Sequence, residues 1–302
     1  MRMQRRIQAT QRTFVTCCHT PKSSPTKNHP LRLMGCALFD HRGQADLDEK
    51  TSLILGLFPK WQFMLITLVI PCFVDLISPQ AGVSIVSLLE GLGHQIDCPD
   101  ELGCCGQPNF NAGCWGEARE AARPVLRRMR NSESIVIASG SCATMLKVFY
   151  KEIFRDQPEE SEAHALSEKC WEFTDFLVNK LGVTDLGASF PHKVTYHDGC
   201  HGLRELNLKR PARQLLEKVR GLQLVEMKEA ETCCGFGGTF STKFPMISAA
   251  MGEVKCASAH DTAAEYLVSA DSNCLMHLQS LLSAQKQSLK TLHIAEVLAA
   301  RS

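Results

Sequence analysis

Leu65-Ile-Thr-Leu-Val-Ile-Pro-Cys72 and Lys193-Val-Thr-Tyr-His-Asp-Gly-Cys200 open two passages of one design, each a β-branched apolar run that ends at a cysteine. Downstream of each lies a doublet, Gly103-Cys-Cys-Gly106 in the first and Thr232-Cys-Cys-Gly235 in the second. Each passage then reaches another strand-like run closing on one cysteine, Ile135-Val-Ile-Ala-Ser-Gly-Ser-Cys142 and Tyr266-Leu-Val-Ser-Ala-Asp-Ser-Asn-Cys274. The step from Cys72 to Cys104 is 32 positions and that from Cys200 to Cys233 is 33. Cys105 to Cys142 spans 37 and Cys234 to Cys274 spans 40. Four cysteines recurring twice in one order point to two copies of a single module facing each other.

Around this frame the pattern reads α/β. Helical periodicity runs through Val83–Leu89, Ala118–Met129, Met145–Phe154, Trp171–Leu181, Leu215–Val219 and Leu275–Leu282. Short β-branched runs sit at Leu65–Ile70, Ile135–Ala138, Val194–Tyr196, Leu222–Val225 and Tyr266–Val268. Strands alternating with helices predict two similar Rossmann-like modules, 64–190 and 191–302, each with a mainly parallel sheet and helices on both faces. In such sheets ligands bind beyond the carboxyl ends of the strands. Cys72, Cys142, Cys200 and Cys274 fall there, and the doublets fall in glycine-bounded loops, so the four thiols of each half are expected on one rim.

Residues 1–63 are different. Over 1–39 there are seven Lys/Arg and no acid, and prolines stand at 21, 25, 30 and 59. The segment is expected to be a disordered extension or to lie upstream of the true start, with Met64 directly before the first strand and Cys17, Cys18 and Cys36 outside the functional unit. The net charge of +1 supplies no global field toward nucleic acid or an anionic membrane. The most apolar stretch, Phe63–Ile77, is broken by Pro71 and Asp75 and is shorter than the ~20 residues of a membrane helix.

Fifteen cysteines in a chain without a visible secretory signal favour metal-binding thiolates in the cytoplasm over a disulfide framework. Iron–sulfur clusters are held mainly by four thiolates, and each half offers four. Structural zinc sites usually use C-x2–4-C knuckles, and no C-x-x-C occurs here. Gly106, and Gly235, Gly237 and Gly238, stand beside the doublets, where backbone N–H groups can approach sulfur or an anion. His277 follows Cys274 at the C-x-x-C spacing and is a candidate ligand; the matching position in the first half is Met145. His197 is the candidate general base. Cys98, Cys114, Cys170 and Cys256 have no counterpart between the halves and are expected to pack as small hydrophobes.

The doubled Cys…Cys-Cys-Gly…Cys pattern resembles the cysteine-rich CCG domain, found in heterodisulfide reductase, in the iron–sulfur component of glycolate oxidase and in the lactate utilisation protein A family. The last is the nearest in Gly103-Cys-Cys-Gly-Gln-Pro108, Ser139-Gly-Ser-Cys142, Thr174–Gly182, Thr232-Cys-Cys-Gly-Phe-Gly-Gly-Thr-Phe240 and His293-Ile-Ala-Glu-Val-Leu298. The resemblance covers about 64–302. It implies a cytoplasmic electron-transfer subunit, working with a ferredoxin-like protein B and a smaller protein C to oxidise L-lactate to pyruvate. It places an iron–sulfur cluster, expected as [4Fe-4S], on Cys72, Cys104, Cys105 and Cys142, and another on Cys200, Cys233, Cys234 and Cys274. The heterodisulfide reductase type adds a fifth cysteine in a final C-x-x-C, which this chain replaces with Met145 and His277. Alternative readings are a glycolate- or heterodisulfide-linked subunit, or a zinc-bound or metal-free scaffold.

Overall fold

The computed structural model describes residues 63–100 and 102–301; the extension predicted for the first 63 residues, with its three cysteines, lies almost entirely outside them. In the first half, β1 (Leu65–Val69) leads into α1 (Cys72–Ile77) and α2 (Pro79–Gly91), then β2 (Gln95–Asp97). After the doublet come α3 (Gln107–Asn111), α4 (Trp115–Met129) and β3 (Ser134–Ile137). Next, α5 (Gly140–Thr144) passes through a π-helical turn, Met145–Phe149, into α6 (Tyr150–Ile153). Finally α7 (Glu160–Lys169) and β4 (Cys170–Glu172) lead to α8 (Phe173–Asp175), prolonged by a second π-helical turn, Phe176–Lys180.

The second half repeats the plan with β5 (Lys193–Tyr196), α9 (Cys200–Leu206), α10 (Lys209–Leu216) and β6 (Gln223–Leu224). Then follow α11 (Thr239–Lys243), α12 (Pro245–His260), β7 (Tyr266–Ser269), α13 (Ser272–Ala284), β8 (Lys290–His293) and α14 (Ile294–Ala299). The sheets run β2-β1-β3-β4 and β6-β5-β7-β8, and every pairing in both is parallel. Their registers match residue for residue: Ile66 pairs with Ser134 as Val194 does with Tyr266, and Ile137 with Glu172 as Ser269 does with His293. The strands read as near-continuous apolar runs because both faces of a parallel sheet are covered.

Covering those faces ties the halves together. The last helix of each half crosses to the other: α14 packs on α2, and α8 with its π-helical turn packs on α10. One core therefore runs through both halves, from Ile66, Ile85 and Leu89 through Phe173 and Phe176 to Leu215, Ile294 and Leu298. Each half keeps a second core on its outer face, around Leu126, Tyr150 and Phe154 in one and around Leu267, Leu278 and Leu282 in the other. On the local two-fold, Ser139 and its counterpart Asp271 meet, the hydroxyl donating to the carboxylate at 2.7 Å.

Three departures from the sequence reading have local causes. Trp171, expected in a helix, lies in β4, because its register against Val136 fixes the chain before the helix begins. Helix α12 shows no apolar periodicity because its buried face carries Ser248, Gly252, Lys255, Cys256 and Ala259. These occupy the places of Ala118, Ala122, Val125, Leu126 and Met129 on α4. Cys98, Cys170 and Cys256 are buried as packing residues, whereas Cys114 is exposed ahead of α4, where it cannot fill a core.

Candidate metal centres

Each set of four cysteines is assembled by the same three devices. The first thiol of each, Cys72 or Cys200, opens a helix directly after a strand. The last, Cys142 or Cys274, lies in the first turn of the helix after the third strand. The doublet hangs between them in a loop closed by a left-handed glycine. Gly106 has φ of +87° and Gly235 +89°. Their N–H groups donate to Cys104 Sγ and Cys233 Sγ, each at 3.4 Å. An added Cβ would stand 2.7 Å from the Ala118 carbonyl oxygen at Gly106, and closer still to that of Ser248 at Gly235. Only glycine permits both the turn and the approach of the helix behind it.

The thiols form one chain in each half. Cys72 and Cys105 both lie against Cys104, and Cys105 Sγ is 3.4 Å from Cys142 Sγ. Cys200 and Cys234 both lie against Cys233, and Cys234 Sγ is 3.0 Å from Cys274 Sγ. Hydrogen bonds from Cys105 and Cys72, helped by Gly106 N–H, hold the Cys104 thiol down at about 2. Bonds from Cys200 and Cys234 do the same for Cys233. The donors move the other way: their bonds to the central thiolate, with burial, push Cys72, Cys105, Cys200 and Cys234 above the ordinary thiol value. A ring of soft donors around one thiolate suits a thiophilic metal or cluster.

A cavity of about 70 Å³ opens between the halves. All four cysteines of the first set line it, and Cys200 and Cys274 reach it from the second. Its walls are exchanged as the helices are. Phe236, Gly237 and Gly238 come from the second doublet loop, yet they face the first set; Phe236 stacks edge-on with Phe73 at 5.4 Å. The contact related to this one by the local two-fold is polar, Gln107 Nε2 to His201 Nδ1 at 3.3 Å. Sequence proximity assigned Gly237 and Gly238 to their own half, and only the fold shows the crossing.

The histidines divide by depth. His201 lines the cavity. His277, one turn beyond Cys274, points its Nε2 at the Ser248 carbonyl, 3.4 Å away, and packs where Gly252 leaves room. His197 is fully buried and is not part of the cavity wall, so it cannot meet a substrate as a base without rearrangement. It lies instead beside the second thiol chain. Among the described residues, His197, Cys234 and Cys274 form the one group of three potential ligands whose donor atoms all fall within 4.8 Å of one another. Burial, followed by the nearby Lys255, lowers the imidazole to about 3, so it is neutral with a free lone pair. Lys255 is itself buried, donates to the Glu229 and Ala230 carbonyls, and is lowered by burial to about 8.

The cysteine-rich CCG family model matches this chain twice, over residues 66–147 and 194–279. Lactate utilization protein A of Geobacillus thermodenitrificans is 44% identical over 236 residues, covering 78% of this chain and 98% of that protein. Its namesake from Bacillus subtilis is 41% identical over 239 residues, covering 79% of this chain and 100% of its own length. The crystal structure of a hypothetical protein from Helicobacter pylori shares the fold, with a TM-score of 0.54 and 14% identity over 82% of this chain and 52% of that one. With two matched cysteine-rich repeats and relatives aligned over nearly their whole length, this chain belongs to the lactate utilization protein A family of CCG proteins.

Proposed function

We propose that the chain is the iron–sulfur electron-transfer subunit of a cytoplasmic system that oxidises L-lactate to pyruvate, with a cluster of the [4Fe-4S] type in each half. The observation that carries this is the pair of four-thiol chains, one in each half of a protein similar over most of its length to lactate utilization protein A. Clusters of this kind, once bound, supply one-electron steps. Lactate gives up two electrons and two protons in becoming pyruvate, so two one-electron centres match its stoichiometry.

In this reading Cys72, Cys104, Cys105 and Cys142 hold the first centre, and Cys200, Cys233, Cys234 and Cys274 the second. Gly106 and Gly235 direct their N–H groups at the central sulfurs, and Gly237 and Gly238 close the cavity over the first. The halves divide near residue 190. A hydroxy acid entering the cavity meets His201 rather than His197. In this reading a ferredoxin-like protein B and a smaller protein C complete the system, and the given sequence itself carries no ferredoxin-type C-x-x-C run. Among the described residues no helix is long and apolar enough to cross a membrane.

The test is iron and acid-labile sulfide per chain on anaerobically purified protein, with EPR, for the wild type, Cys104→Ala and Cys233→Ala. Roughly four irons per occupied set are expected, with each variant losing one set. Zinc in place of iron would sink the electron-transfer reading and favour a scaffold. Deletion of the gene is expected to abolish growth on L-lactate while sparing growth on glycolate.

A further inference from the structure

The two thiol chains are alike, but the floors beneath them are not. Counting back three positions from the first cysteine of each set gives Val69 and His197, and the matching registers of β1 and β5 confirm the equivalence. Val69 sits in the apolar core of its half with Leu102 and Ile137. His197 occupies the same place with 0% exposure; among the described residues its ring nitrogens make no hydrogen bond of normal geometry, and the Ala230 carbonyl offers one of them only a weak contact. Its backbone is fixed, since His197 N–H donates to the Val268 carbonyl at 2.8 Å and so extends the strand pairing. A buried polar group without a good partner is costly, so an imidazole placed there calls for an acceptor of its lone pair. Cys234 Sγ and Cys274 Sγ are the donors nearest to hand, all three within 4.8 Å of one another.

We propose that His197 is a nitrogen ligand of the second metal centre, which makes that centre chemically unlike the first. The inference rests on the reading that the cysteine sets hold metal. It gives the nitrogen position to a residue at the end of β5 rather than to His277, whose ring is turned to the Ser248 carbonyl. With the four cysteines of its set, His197 would be a fifth donor to that centre; were it to take the place of one thiolate there, the potential of an iron–sulfur centre would rise.

The deciding experiment uses the full chain labelled with 15N-histidine, loaded anaerobically with ferrous iron and sulfide, and reduced. Electron–nuclear double resonance is expected to show one strongly coupled nitrogen. His197→Ala should lose that coupling, while His277→Ala and His201→Ala keep it. Should His197→Ala not fold, the milder His197→Gln is read in the same way. A preparation with iron and sulfide in both sets but no strongly coupled nitrogen overturns the proposal, as does a coupling abolished by His277→Ala. A chain that takes up no iron and sulfide defeats the cluster reading separately. Cadmium-113 bound to the same labelled chain then decides: a cadmium–nitrogen coupling lost in His197→Ala upholds the ligand, and its absence, or failure to bind cadmium, rejects it.

Discussion

At the scale of single residues, the two doublet glycines and the thiols beside them are where the proposed metal binding can be tested. Ala at position 106 or 235 would need a positive φ and would press its methyl into a helix carbonyl. Strain of this kind costs on the order of 1–3 kcal/mol. Gly106→Ala and Gly235→Ala are each expected to lower the melting temperature and to lose the metal of one set, read by thermal denaturation and metal analysis. The thiols set a pH dependence. Cys72, Cys105, Cys200 and Cys234 are raised and hold protons at neutral pH, whereas a metal binds thiolates. Metal uptake must displace those protons, so affinity rises with pH and falls as pH drops. Proton release during a cadmium titration in weak buffer should show this directly. The eight cysteines were legible in the sequence because spacing is a one-dimensional signal. The depth of His197 was not, since being three positions from a cysteine says nothing of whether a ring faces a cavity or a core.

At the scale of elements, the strand-to-helix junctions carry the most unusual side chains. Glu172 ends β4 and caps the following helix, accepting from Thr174 N at 2.7 Å and Asp175 N at 3.1 Å. Burial raises its carboxyl from 4.5 to about 7 against those bonds. The folded state therefore holds the proton more tightly than the unfolded chain, and stability falls as pH rises from about 4.5 to 7, then levels off. The loss is at most about 3 kcal/mol. Glu172→Gln keeps an accepting oxygen at the cap and removes the charge. It is expected to flatten the denaturation profile across this window and to match or exceed the wild type above pH 7. At β8, His293 caps α14 in the same way, accepting from Ala295 N at 3.2 Å. Neither β4 nor β8 shows in the sequence, because neither Cys170-Trp-Glu172 nor Lys290-Thr-Leu-His293 holds three adjacent apolar or β-branched residues as β3, β5 and β7 do. Helix α12 was hidden for another reason: the residues it buries beside the second centre are small or polar.

At the scale of the molecule, the exchange of α8 and α14 makes two sheets into one cooperative unit. Ile294, Val297 and Leu298 are all but fully buried although they belong to the last turns of the chain. Ile294→Ala is expected to cost about 2–5 kcal/mol. Since α14 rests on α2, hydrogen exchange in β1 and α2 should speed up along with that in the second half, within one unfolding transition. Gly199→Ala tests the seam itself, where an added methyl would collide with the Asp271 carboxylate; it is expected to lower the melting temperature of both halves together. The doubled architecture was legible from the cysteine repeat, but the crossing of its last helices was not, because amphipathic patterning tells that a face is covered and not by whom.

The exchange also bears on ancestry. A lone half would leave the apolar side of its second helix bare, and its own last helix without a bed. A single-unit forerunner of this architecture would have had to pair with its twin, each lending its tail to the other about a true symmetry axis. Its two sets of four cysteines would then have been identical by necessity. Two halves carried in one chain are free of that constraint: His197 and Lys255 stand in the second half where the first has Val69 and Val125.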